Sequence, residues 1–450
     1  MKQKYFLGIL MLGFSSAFAQ YGDIDLSLNP GQGADNTIQV LALQSDSKIL
    51  AGGDFLTFDG VTKKRLVRLN EDGSIDESFN IGTGFNKLVT SVIVQPDQKI
   101  IVTGEFTGYN NTSKKRIVRL NPDGSSDPGF NTGYGANDDI LCAFLQADGK
   151  ILVGGVFTAV NWLPRNRIAR LNADGSVDAG FVFDGNIEGV TDIKQLPDGK
   201  YIVNAVNKIL RLNTDGSLDT SFYSGLGTDH PIQSVLIQSN GKIVIGGYFT
   251  EYDGFAFERI LRLEADGNID TTFNISSGAN YGVLGISEQP DGNLLVTGLF
   301  STFNGYPREK VARLSPDGAI DPTLDPLLGP NNVVLHHAIQ PDGRVLIAGD
   351  FSDYNGVSRN RIARIQVFNA LSAASHVKSA PTLFPNPASH GVRFSIPGED
   401  VHGIVFADMT GKIVLRTTGD YADVSHLQNG LYIATAQTGN GLITSKFVKN

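Results

Sequence analysis

Few side chains in this 450-residue chain have the type and spacing to do chemistry. Asp192 and His336 fall at one equivalent position of a recurring segment, and Lys194 stands two residues beyond that position. A carboxylate and an imidazole at one level could bind a metal or act as acid and base. They belong to copies three apart, and between Gln20 and Gln366 the only histidines are His230, His336 and His337, which favours the plainer reading of polar side chains lining a watery channel. The pattern Asn-x-Asp-Gly-Ser-x-Asp, as at Asn70, Asp72, Ser74 and Asp76, superficially resembles a calcium loop. An EF-hand needs Gly at position six and a bidentate Glu at twelve, whereas here Gly comes fourth and no such Glu follows. A structural hairpin is the better reading. Arg68, Arg119, Arg170, Arg211, Arg262, Arg313 and Arg364 recur once per copy, as do Asp76, Asp127, Asp178, Asp219, Asp270 and Asp321. A residue present in every copy reads as architecture, a repeated ion pair or turn clamp.

Composition narrows the field further. Thirty-seven Lys and Arg against 46 Asp and Glu give a net charge of −9, with the signs interspersed. No basic stripe is available to neutralise phosphates, so a nucleic-acid partner is disfavoured. The one cysteine, Cys142, rules out a disulfide framework and multi-cysteine zinc motifs, and reads as a small buried apolar residue. No nucleophile elbow, zincin, Walker or dinucleotide fingerprint occurs in a strand-helix setting. No cofactor is expected.

The elements that must position these residues come from a repeat of about 51 residues. Lys48, Lys99, Lys150, Lys200, Lys242, Asn293 and Arg344 mark one turn, and Gly73, Gly124, Gly175, Gly216, Gly267 and Gly318 mark another. Each copy alternates with period two between Asp-Gly turns, which predicts strands. Four fit the second copy: 89–95, 99–106, 116–121 and 125–131. A lone four-stranded meander cannot bury both faces, and a ring of such sheets can. Seven first turns but six downstream second turns leave the last copy one strand short. Residues 21–36 align with 71–86, placing Asp25 in register with Asp76. The expectation is an all-β chain: a seven-bladed β-propeller over residues 20–367, closed by its N-terminal strand with Asp25 paired to Arg364. The fourth copy is shortened between Lys200 and Leu212, which predicts a notch in one face.

The cassette Q-x-D-G-K-I-x-V-x-G-x-F-T followed by R-I-x-R-L-N-x-D-G-S-x-D-x-x-F resembles the delta-60 repeat family of bacterial β-propellers. The pairs Gly52-Gly53, Gly154-Gly155 and Gly246-Gly247 are also similar, more weakly, to kelch blades. The family likeness implies the propeller fold and a surface or secreted setting, and no established activity.

Strand direction sorts the loops onto two faces, one paved with short turns and one carrying the long segments 158–166, 250–259 and 301–309. Functional residues concentrate on loops held by a rigid scaffold. Trp162, Phe255, Phe257, Tyr281 and Tyr306 are the candidate platforms for a sugar or peptide, unless they cover seams between blades as Phe106, Phe157 and Phe249 are expected to do.

Both ends read as address labels. Lys2 and Lys4, the apolar run 5–14 and Ala17-Phe18-Ala19 form a cleavable secretory signal over 1–19. The apolar run is too short to span a bilayer, so no transmembrane segment is expected in the mature chain. Residues 368–382 read as a linker, and the alternating runs of 383–450 as a small β-sandwich. That tail resembles the type A sorting domain recognised by the type IX secretion system of Bacteroidetes, through Pro385, Asn386 and Pro387, Gly411 and Lys412, Leu427, Gly430 and Tyr432, and Lys446 and Lys449. The resemblance implies the secretion machinery and a sortase as partners, and delivery outside the cell with or without attachment to its surface. Three functions compete: a non-enzymatic scaffold binding a glycan, peptide or envelope protein; a polysaccharide-acting enzyme near Asp192, Lys194 and His336; and a purely structural envelope component.

Overall fold

The computed structural model describes residues 22–367, 382–395, 401–408, 413–438 and 441–450. The expected signal at 1–19, nearly all of the expected linker, and Gly411 and Lys412 lie outside the described residues. The chain divides into two compact units, Met1–Ala370 and Leu371–Asn450.

In the first unit the repeat becomes seven three-stranded antiparallel sheets. Blade two shows the pattern: an inner strand Val89–Val94, a middle strand Ile100–Gly104 and an outer strand Ile117–Leu120. Middle strands are buried along their whole length, which explains why they read as continuous runs such as IIVTG and ILVGG. The apolar side chains gather into seven clusters, each shared by neighbouring blades, and one of them joins Leu41 and Phe55 of blade one to Leu346 and Ile362 of blade seven.

Six inner strands carry a β-bulge at their second residue, as between Val89 and Ser91. Beside the bulge, the carbonyl of the residue just before the inner strand stands against the last residue of the middle strand. A Cβ at Gly104 would stand 2.1 Å from Leu88 O, and one at Gly155 the same distance from Asp139 O. Only glycine fits such an approach. Blade four has no bulge, pairing Asp192 directly with Asn204, and there the chain continues into Ala205.

One expectation needs correction. The fourth strand is reduced to one bridge, as Leu120 to Ser126, because the following Asp turns its carboxylate onto its own chain: Asp76 Oδ1 accepts the Ser78 N–H at 3.0 Å. Such local bonds compete with a ladder. The long loops are ordered. Six are two-stranded hairpins, such as Ala159–Val160 with Leu163–Pro164, and among the described residues blade four has none.

The recurrent Arg and Asp form a buried clamp. Arg68 Nε meets Asp76 Oδ2 at 2.7 Å, its Nη1 donates to Pro122 O of the next blade at 2.6 Å, and its guanidinium lies 4.5 Å from the Phe79 ring centre. Arg119 repeats this with Asp127, Ala173 O and Phe130. In blade seven Arg364 Nε meets Asp25 Oδ2 at 2.7 Å and its Nη1 donates to Glu71 O of blade one. Around this contact the Gly22 N–H donates to Gln366 O, Asp25 N–H to Arg364 O and Gln366 N–H to Asp23 O.

The second unit has two sheets, one of three strands and one of four, around a core that includes Phe394, Ile404, Phe406 and Phe447.

Burial pushes the Asp127 carboxyl up, but Lys99, the Gly129 N–H and Arg119 outweigh it and hold it at about 2, below its ordinary 3.8. A folded-state pKa below the unfolded value stabilises fully above about pH 4, and the contribution is lost as pH falls towards 2. Arg119→Ala is expected to cost about 3 kcal/mol at neutral pH and much less near pH 2. Denaturant melts at both pH values check this; an equal loss at both would contradict it.

Candidate functional site

The inner strands surround a cavity of about 710 Å³ that reaches the hairpin face between their first residues. Blades one to three line it with Val40, Ile93 and Ala143 beside Thr90 and Ser91, and the opposite, more polar wall holds Asp192, Lys194, Ser234, Ser287, His336 and His337. Within the polar wall the structure pairs Asp192 with Lys194, whose Nζ lies 2.9 Å from Oδ1. The same carboxylate accepts the Ile193 N–H at 2.8 Å and the Val235 N–H at 3.4 Å. The carboxylate of Asp192 is thus engaged by Lys194, two residues along the same strand. Burial alone would push the Lys194 ammonium down, and Asp192 outweighs it and holds the lysine charged.

His336 Nδ1 is buried without a hydrogen-bond partner among the described residues. Burial, and after it the charge of Lys194, push this imidazole down to about 4. Its neighbour His337 is a satisfied core residue, with Nδ1 2.8 Å from Thr297 Oγ1 and Nε2 2.8 Å from Ser287 Oγ. At neutral pH the cavity thus offers a neutral imidazole, an ion pair and hydroxyl groups, suited to holding a polar group by hydrogen bonds. Cys142 is buried in the opposite wall and its thiol is pushed up by that burial, which leaves it unreactive.

The aromatic candidates separate. Trp162, Phe255, Tyr281 and Tyr306 are more than half exposed. Trp162, Phe255 and Tyr306 belong to the hairpins of blades three, five and six, and Tyr281 stands just before the inner strand of blade six with its ring centre 6.2 Å from that of Tyr248, which lines the cavity. Phe257 differs. It packs against the core cluster between blades four and five, just beyond the strand Phe255–Ala256, where its N–H donates to Thr250 O at 2.9 Å. Phe106, Phe157 and Phe249 are fully buried. Sequence reasoning missed Tyr134 and Lys115, which stack beside Trp162, and the signal that could have found Tyr134 was its contrast with the small or polar residues of most copies.

In the tail, Asn386 ties the turn after the first strand to the last strand, donating to Lys446 O and accepting from Val448 N–H, each at 2.8 Å. Pro385 and Pro387 flank it, and the Phe384–Pro385 and Asn386–Pro387 peptide bonds are cis. Leu427 and Tyr432 are core residues, Gly430 begins a long strand, Lys449 is buried and Lys446 is exposed.

Fold and tail together define a repeat β-propeller built for export. Seven segments, from 44–79 to 340–366, match the family described as a domain of unknown function (DUF5122) beta-propeller, and together they make up just over half of the chain. The chain belongs to that family. Residues 382–450 match the secretion system C-terminal sorting domain. The protein is thereby directed through type IX secretion to the cell surface or the extracellular space, and its tail is handled by that machinery. No helix among the described residues is long and apolar enough to cross a membrane.

No curated protein matches the sequence. Among solved structures, the extracellular domain of a putative hybrid two component system, BT3049 of B. thetaiotaomicron, is similar at 10% identity and a TM-score of 0.50, over 95% of this chain and 56% of that one. The chain thus spans little more than half of that relative. The WD40 beta propeller domain of Doa1 is similar at 15% identity and a TM-score of 0.50, over 77% and 96% of the two chains. A streptogramin B lyase follows at 16% identity and a TM-score of 0.45, over 75% and 94%. At these identities the likeness is one of fold.

His336 is expected to stay neutral at roughly pH 6 and above, and Lys194→Met should raise its titration midpoint by removing a nearby positive charge. Histidine NMR titrations read this directly. A midpoint that is unchanged or falls would contradict the charge coupling.

Proposed function

We propose that this protein is a non-enzymatic scaffold, placed outside the cell by its sorting tail, that binds a glycan, peptide or envelope protein through its hairpin face. One observation carries the reading: the exposed aromatics Trp162, Phe255 and Tyr306 stand on hairpins of blades three, five and six, on either side of the blade that lacks a hairpin. Large apolar side chains held out on short, rigid turns gain nothing for folding while they face water. They offer binding area at small entropic cost, because the turns already fix them. The shortened fourth blade leaves space between them for an extended ligand. Tyr281 adds an aromatic edge next to Tyr248 of the cavity lining, and the polar wall with Asp192, Lys194 and His336 would receive a side group of the same ligand. Extracellular propellers of similar fold support the setting.

Glycan arrays and pull-downs from envelope fractions with the exported protein test this proposal. Binding that falls about tenfold or more in Phe255→Ala or Tyr306→Ala is expected. Binding untouched by both, or turnover of a polysaccharide that Asp192→Ala abolishes, would contradict it.

A further inference from the structure

The six hairpins supply their own controls for one residue. Each turns through two residues: the first is Asp59, Asn110, Asn161, Asp253, Asn304 or Asn355, and the second is Gly60, Asn111, Trp162, Gly254, Gly305 or Gly356. All have positive φ, the geometry that matches strand twist and that Gly, Asn and Asp tolerate. Trp162 takes up this geometry at φ 65°, where four equivalent positions hold Gly and one holds Asn. A bulky side chain there is a steric outlier. Core packing does not explain it, since Trp162 is 71% exposed. Strain kept without a folding benefit points to use.

What surrounds the indole indicates the use. Its ring centre lies 4.2 Å from that of Tyr134 at an interplanar angle of 31°, and Lys115 Nζ lies 3.4 Å from the Tyr134 ring centre. The Tyr134 N–H donates to Asn161 Oδ1 at 3.1 Å, and the Asn161 N–H to Gly135 O at 2.8 Å, so the segments that carry the two aromatic residues are fastened together. The other hairpin-bearing blades have Gln32, Thr83, Leu226, Ser277 or Leu328 at the place of Tyr134. Beside Tyr134 opens a recess of about 200 Å³, lined by Lys114, Lys115, Asn131 and Thr132 among others. Neither lysine has a carboxylate partner among the described residues.

We propose that Trp162, Tyr134 and the Lys114–Lys115 recess form a subsite for an acidic polysaccharide, one pyranose ring stacking on the indole and the carboxylate of a neighbouring sugar of the same chain drawn to the lysines. This rests on the reading of the hairpin face as a binding surface. The negative face of an indole attracts the polarised C–H groups of a sugar ring. One ring pair is far smaller than the roughly 1,600 Å² of a standard protein interface. Two unpaired lysines select for negative charge in a way that salt weakens.

Calorimetry of the full exported protein with polygalacturonate, and with dextran as neutral control, tests the proposal. Trp162→Gly and Trp162→Asn install the residues that the other turns carry, so both should keep or raise Tm while lowering polygalacturonate affinity by about tenfold or more. Wild-type binding should weaken several-fold in about 0.5 M NaCl and be absent for dextran. No binding of polygalacturonate, equal binding of dextran, or a Tm that falls in both variants would overturn it. Binding lost in Phe255→Ala but kept in Trp162→Gly would overturn this subsite and leave the binding face standing; binding indifferent to both would overturn the two together.

Discussion

Everything in the propeller depends on one buried guanidinium per blade. The planar fork of Arg68 gives one N–H to the carboxylate of its own blade, one to a carbonyl of the next blade, and its flat face to a phenyl ring. A lysine, with one compact ammonium, could not meet three partners at these angles. The apolar clusters between blades supply most of the driving force but are non-directional. The clamp fixes which backbone atoms face each other across every seam. At the last seam the carboxylate comes from the other end of the chain, because Asp25 takes the place that Asp76 and its counterparts take elsewhere. Arg344 Nη1 adds a second contact to the same Asp25 carboxylate at 2.9 Å, as Lys48 does to Asp76.

A wheel pinned in this way can display irregular features on one face without loosening. The hairpins are short, their turns are confined to left-handed geometry, and their first residues bond back to the segment that enters the blade, as Asn161 does to Tyr134. Variation among blades is therefore concentrated at the turn tips, the channel wall and the shortened fourth blade. The departures from the repeat, Trp162, Lys194 and His336 among them, lie at those places, and departures from a repeated pattern are where a specific function can be written.

Much of the fold was legible because the repeat multiplied weak signals. Asp-Gly turns at steps of 51, and an Arg and an Asp once per copy, located the blades, the clamp and the partner of Arg364. The hairpins were not legible, since strands of two residues are too short for any alternation to register. The fourth strand was over-read: residues 125–131 alternate like a strand, while Asp127 spends its carboxylate on the Gly129 N–H, Lys99 and Arg119. In the channel the level of Asp192, Lys194 and His336 was readable, but not which pair would meet. That depended on Lys194 curling back along its own strand. Phe257 looked like its exposed neighbour Phe255 because sequence does not show that the strand ends at Ala256, and so that the two residues do not share a face.

The central claim is that the seam between the N-terminal segment and the last blade is equivalent to every other seam. Urea melts of Asp25→Ala and Asp76→Ala, compared side by side, test it most directly. Asp25 is 339 residues from Arg364 and Asp76 only 8 from Arg68, yet the two substitutions should lower the propeller's midpoint by similar amounts, each leaving a buried arginine without its carboxylate. A silent Asp25→Ala beside a damaging Asp76→Ala would contradict the account.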